Sequence, residues 1–288
     1  MKVLLALDYS QSSLEAFESL FTICDPGPAA VHVLHVIDRS SQSDIGKQVE
    51  IQYAKRFIAA SVKKLSNRFP NCQITGEQVI GPASKMILER ATKTDCELIV
   101  MGAHLQTGIS DLLLGSVSRK VLTHAHCGVR IVRPAEKSEP KDSYNGLIAT
   151  NDSEESDYAL ERILATGWPR NTIFKFVTAL RVMDTAEHAE EQKKLMESWL
   201  KCCVVRLNVN LRPEMVTSDI LVGDPKQAII EEATNWPADL IVLGARKRTD
   251  INKIIRGSVS EFIATKAPCS VEVLPLPGRE VRFVQGGE

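Results

Sequence analysis

The residues best suited to chemistry lie in a segment that leaves an apolar run at Gly102 and re-enters a helical pattern at Gly115 and Ser116. Glycine at each end lets the backbone turn sharply and come close to a ligand. Ser116 stands where it can cap the next helix, whose free N–H groups and dipole favour an anion. Phosphate is the natural guest for such a turn. The same residues also suit a purely structural end, with glycines that only turn and a serine that only caps. Asp8, directly after the first apolar run, is the nearest carboxylate candidate.

The motif occurs twice. Residues 81–132 lie over 223–274 without a gap, at an offset of 142. Identical pairs include Gly81 and Gly223, Ile87 and Ile229, Ala91 and Ala233, Gly102 and Gly244, and Cys127 and Cys269. Gly115-Ser116-Val117-Ser118 likewise lies over Gly257-Ser258-Val259-Ser260. The chain is a duplication whose unit is a whole domain, too large for a solenoid repeat. Domain one covers 1–134, a polar linker 135–143, domain two 144–277 and a tail 278–288, where Val281 to Val284 could add an edge strand.

Each copy alternates strand and helix. Val3 to Leu7 is a continuous apolar run, as in a parallel strand buried on both faces. A helix follows, with Ser10 to Ser13 as caps and Leu14, Phe17, Leu20 and Phe21 at helical spacing. Further strands are read at 31–37, 73–80, 98–101 and 129–132, with helices at 47–69, 83–92 and 116–124. Copy two repeats the order from Gly146. The expected fold is α/β: two tandem doubly wound domains, each a five-stranded parallel sheet with helices on both faces. Ligands in such folds sit beyond the carboxyl ends of the strands, where the order reverses. Asp8, Val36 to Asp38 and the segment from Gly102 to Ser116 occupy those ends. The last strands, 129–132 and 271–274, are expected to pair antiparallel across the copies, covering two edges that would otherwise be bare.

The totals exclude several classes. The 288 residues are 44% hydrophobic and 25% charged, and 35 basic residues nearly cancel 36 acidic ones. Bulk attraction to nucleic acid or an anionic membrane is not expected. No run reaches the length that spans a bilayer, and the opening apolar run is too short for a signal core. Seven cysteines at irregular spacing suit reduced thiols, so the expected location is cytoplasmic.

With these residues in view, the chain resembles the universal stress protein family in its tandem, two-domain form. The family's nucleotide signature runs glycine, two residues, glycine, nine residues, then glycine with serine or threonine. Gly102 with Gly115 and Ser116 match its ends, as do Gly244 with Gly257 and Ser258. Leu34-His-Val-Ile-Asp38 and Gly81-Pro-Ala are typical family segments too. The resemblance implies strand order 3-2-1-4-5, pairing through the last strands, and in many members bound ATP. It assigns Asp8 to the nucleoside, backbone at Val36 (with Val177 in copy two) to adenine, and Val117 to the nucleotide set. Three departures stand out. The middle glycine is Leu105 in copy one and Lys247 in copy two, and the acid after the first strand becomes Asn151. Leu105 over the turn would crowd a triphosphate, whereas Arg246-Lys-Arg248 could hold phosphate by charge or be a solvated loop.

A zinc site from His104, His124, His126 and Cys127 is not expected, because copy two replaces these types except at Cys269. Cys202 and Cys203 read as packing residues. No nucleophile motif appears, and slow hydrolysis of bound ATP is the ceiling for catalysis. Two functions remain: a stress-response sensor that binds an adenine nucleotide mainly in domain one, and an adaptor acting through protein contacts with no nucleotide. An intrachain pseudo-dimer is expected in either case, with an unnamed protein partner and room for a homodimer of chains.

Overall fold

The computed structural model describes residues 1–22, 27–38, 44–103, 114–134, 143–180, 186–208, 215–245 and 258–276. The first copy contains β1 (Lys2–Leu7), α1 (Gln11–Ser19), β2 (Ala30–Ile37), α2 (Asp44–Arg68), β3 (Gln73–Ile80), α3 (Ala83–Lys93), β4 (Leu98–Gly102), α4 (Ser116–His124) and β5 (Gly128–Val132). The second contains β6 (Tyr144–Ala149), α5 (Glu154–Leu164), β7 (Thr172–Leu180), α6 (Ala186–Asn208), β8 (Val216–Val222), α7 (Pro225–Asn235), β9 (Leu240–Ala245), α8 (Ser258–Lys266) and β10 (Ser270–Pro275). The repeat therefore begins two residues before the expected Gly146, and α2 three before Lys47. The linker after Pro134, the tail from Gly278 and its edge strand lie outside the described residues.

All ten strands form one sheet in the order β3-β2-β1-β4-β5-β10-β9-β6-β7-β8. Within each copy the pairs are parallel and the order is 3-2-1-4-5. The copies join where β5 meets β10 antiparallel, with Val129 opposite Val273 and Ile131 opposite Val271. The expected pseudo-dimer is therefore formed within one chain.

The apolar strands bury both faces, as their unbroken composition requires. On one face, α3, α4, α7 and α8 cover a single core that runs through both copies, from Leu4 and Ile99 through Ile131 and Val271 to Ile241. On the other face the cores are separate. Phe17, Leu20 and Leu65 fill one under α1 and α2, and Leu160, Phe174 and Leu200 fill the other under α5 and α6. One shared layer makes the pairing of copies part of the hydrophobic core. Among the described residues no helix is long and apolar enough to cross a membrane.

Glu97, just ahead of β4, ties the copies at the opposite end of the sheet from the motif. It accepts from the Lys2 backbone N–H at 2.9 Å and from Arg162 of α5 at 2.6 Å. Partial burial pushes its carboxyl up, but the Lys2 N–H and Arg162 outweigh this and hold it below the usual value. A depressed carboxylate stabilises the fold above its unfolded pKa, about 4.3, and the gain is lost as pH falls through the folded value. Glu97 is well exposed, so Arg162→Ala should cost only about 0.5–1 kcal/mol near neutral pH. In denaturant titrations that difference should shrink as pH falls below about 4.3 and vanish once pH is below the depressed folded value.

Candidate functional site

The carboxyl end of β1 is fixed from both sides. His35, 2% exposed on β2, bonds through Nδ1 to the Leu7 carbonyl at 2.9 Å. The chain then turns through Asp8 into α1. Asp8 Oδ1 accepts from the Ser10 N–H at 2.9 Å and from the Ser10 hydroxyl at 2.5 Å. The Asp8 N–H donates to Ser13 Oγ at 2.8 Å, and the Ser10 side chain caps α1 by accepting from the Ser13 N–H. Asp8 thus closes the turn and stands, solvent-exposed, at the rim of a pocket.

That pocket, about 250 Å³, brings together Asp8, Val36, Gly102, Gly115, Ser116 and Val117, the whole expected copy-one set. Its geometry follows from the two ends of the motif. Gly115 donates to the Ala103 carbonyl at 3.2 Å, and the Ser118 hydroxyl donates to the Gly102 carbonyl at 3.0 Å. The start of α4 is thereby pinned beside the end of β4. A Cβ on Gly102 would meet the Ser12 carbonyl carbon at 2.6 Å and its oxygen at 2.7 Å. This glycine is required for strand and helix to touch, whatever a ligand needs.

Ser116 does not cap α4. Gly115 is the N-cap residue and offers no side chain, so Ser116 is the first residue of the helix. The turn places the cap one residue earlier than the serine suggested. The α4 N-terminus therefore meets the pocket with no side-chain cap and no acid in its first turn, where Arg119 lies. Backbone N–H groups at such an end are unsatisfied within the helix and attract an anion.

Copy two builds the same pocket with different charges. Gly244 and Ser258 line it, with Val177, Asn151 and Ser153. Asn151 keeps the turn: its N–H donates to Ser156 Oγ at 3.0 Å, and its Oδ1 accepts from Ser153 and Ser156, each at 2.7 Å. Glu155 occupies the place of Ser12, and its backbone packs on Gly244. Glu261 replaces Arg119 in the first turn of α8. Val177 is not the counterpart of Val36. Gly223 donates to Leu180 as Gly81 does to Ile37, and this register puts Ala179 opposite Val36. Both Val177 and Ala179 reach the pocket. The one-residue shift between copies ahead of position 81 is what hid Glu155 and Ala179 from a gapless overlay.

Leu105, Lys247, the Arg246-Lys-Arg248 cluster, Gly257 and His104 lie outside the described residues. His124 bonds to the Lys120 carbonyl of its own helix. Among the described residues no three His, Cys, Asp or Glu side chains are placed to share a metal ion. Cys203 packs into the copy-two core, and burial pushes its thiol up to about 12. Cys202 faces solvent.

The chain matches the Universal stress protein family over residues 1–133 and again over 146–275. It is 29% identical over 143 residues to a universal stress protein of Methanocaldococcus jannaschii, covering 47% of this chain and 84% of that protein. A universal stress protein of Synechocystis is 34% identical over 88 residues, covering 31% of this chain and 56% of its own length. Among solved structures, a universal stress protein from Archaeoglobus fulgidus superposes with a TM-score of 0.69 at 21% identity, over 96% of this chain and 98% of that one. That likeness bears on the fold. Matched in both halves, the chain belongs to the universal stress protein family and carries the family domain twice.

Proposed function

We propose that this protein senses an adenine nucleotide through its first copy, and that the second copy is the weaker site. The observation that carries this reading is the start of α4. Its end is uncapped by any side chain, has no acid in its first turn, and opens into a pocket edged by Asp8 and Val36. Phosphate fits the helix start, the Val36 backbone suits a base, and Asp8 suits the ribose hydroxyls. Some members of the family bind ATP, which makes it the first nucleotide to test. Copy two places Glu155 in the pocket and Glu261 at the helix start, and both repel phosphate. A change in the nucleotide held would be passed to a protein partner.

Protein purified without added nucleotide should release an adenine compound on heating, read by the 260/280 nm absorbance ratio and chromatography. Asp8→Ala should weaken binding by about 1–3 kcal/mol. Because Asp8 also closes the turn, Asp8→Asn is the sharper test: Asn151 makes the corresponding bonds in copy two, so the turn survives. Asp8→Asn should keep the wild-type melting temperature and still lose affinity. Unchanged affinity in both variants would leave Asp8 a turn residue and favour the adaptor reading.

A further inference from the structure

The β5–β10 seam carries an ion pair at its centre. Arg130 stands directly opposite Glu272, with valine and isoleucine pairs on either side. Arg130 Nε and Nη2 both lie 2.6 Å from Glu272 Oε2, and the two side chains are 4% and 10% exposed. The two residues are 142 positions apart, the offset of the repeat, so each is the other's counterpart. The local two-fold axis relating the copies therefore passes between them. On an axis of this kind, like domains place each axial residue against itself. Two first copies joined through this edge would press one buried guanidinium against another, and two second copies would do the same with carboxylates. Charges facing each other with little water to screen them repel strongly.

We propose that Arg130 and Glu272 form a pairing code: the last-strand edge of copy one accepts copy two and rejects a second copy of itself. Chains then close on themselves instead of joining through like halves. A second asymmetry separately disfavours a seam between two second copies. Arg133 of copy one donates to the Ala264 and Thr265 carbonyls at the end of α8, at 2.7 and 3.0 Å. Its counterpart is Pro275, which has no donor to return, so a seam between two second copies would lose this cap on both sides.

The full-length chain tests this. Arg130→Glu and Glu272→Arg each put like charges on the axis, and each should lower the folding equilibrium constant on the order of 100-fold or more. The double reversal, Arg130→Glu with Glu272→Arg, should return it to within about tenfold of wild type, since the pair is restored with its ends exchanged. The two single variants are then coexpressed under different tags. Every pairing between their chains joins Glu to Arg, so they should copurify in equal amounts, whereas two tagged wild-type chains should not. A double reversal no more stable than the single variants overturns the proposal, and so does failure of the two single variants to copurify.

Discussion

Gly102→Ala is expected to lower the midpoint of chemical unfolding, at a cost of about 2–3 kcal/mol, and to abolish nucleotide binding in copy one. The added methyl would lie 2.6 Å from the Ser12 carbonyl carbon, a backbone atom with no rotamer by which to yield. Relief requires α1 to move away from β4. That movement pulls on the turn in which Asp8, Ser10 and Ser13 bond one another, and it widens the pocket on the side that Asp8 edges. Gly244→Ala meets the same obstacle in the Glu155 backbone and should cost a similar amount with less effect on binding. Gly223→Ala supplies the contrast. Its φ of +130° disfavours a side chain, yet nothing lies within 4 Å of the new methyl, so its cost is conformational alone, about 1 kcal/mol. Equal midpoints for Gly102→Ala and wild type would contradict the packing argument.

Arg133→Met should cost about 2–4 kcal/mol and split the unfolding of the two copies. The guanidinium is buried and bonds to the Ala264, Thr265 and Cys269 carbonyls, while the Arg133 N–H donates to Ser270 Oγ at 3.2 Å. Burial pulls its pKa down to about 10, with Cys269 opposing the shift, and it stays charged at neutral pH. A cation at a helix C-terminus satisfies both the last carbonyls and the dipole. Methionine fills the space but removes the donor that the Ala264 and Thr265 carbonyls accept from in a buried seam. Because the copies share one core layer, wild type should unfold in one calorimetric transition. The variant should show two, or one broadened transition whose van't Hoff enthalpy falls below the calorimetric value. A single sharp transition at the wild-type temperature would show that the shared apolar layer alone couples the copies.

Most of the fold is legible in the residues because strand and helix alternate with clear periods. The apolar run at β1 and the pattern of α4 fix those elements nearly to the residue. The duplication then supplies the antiparallel seam, since equivalent edges must cover each other. What the sequence hides depends on side chains meeting across long separations. Arg130 and Glu272 look like ordinary charges on apolar strands until the antiparallel register sets them face to face. Glu155 looks like one of several acids at a helix start until Gly244 packs against its backbone and brings it to the pocket. Ser116 has the chemistry of a cap, but the turn spends the cap position on Gly115. Residue type marked the start of α4 as the helix end that meets the pocket and misplaced the group that leaves it open.

The most direct test of the unequal-site account is a calorimetric titration of ATP into nucleotide-stripped wild type, Ser116→Asp and Ser258→Asp. Ser116 and Ser258 are equivalent, exposed first residues of α4 and α8, so each substitution sets a carboxylate at one helix start without disturbing a core. A carboxylate there suits the helix dipole, which keeps the fold stable, and takes the place of the phosphate. Wild type should show one dominant site. Ser116→Asp should weaken it at least about tenfold, a loss of about 1.4 kcal/mol or more, and Ser258→Asp should leave it unchanged. Loss of the dominant site in Ser258→Asp with full binding in Ser116→Asp, or no ATP binding in wild type, would contradict the account.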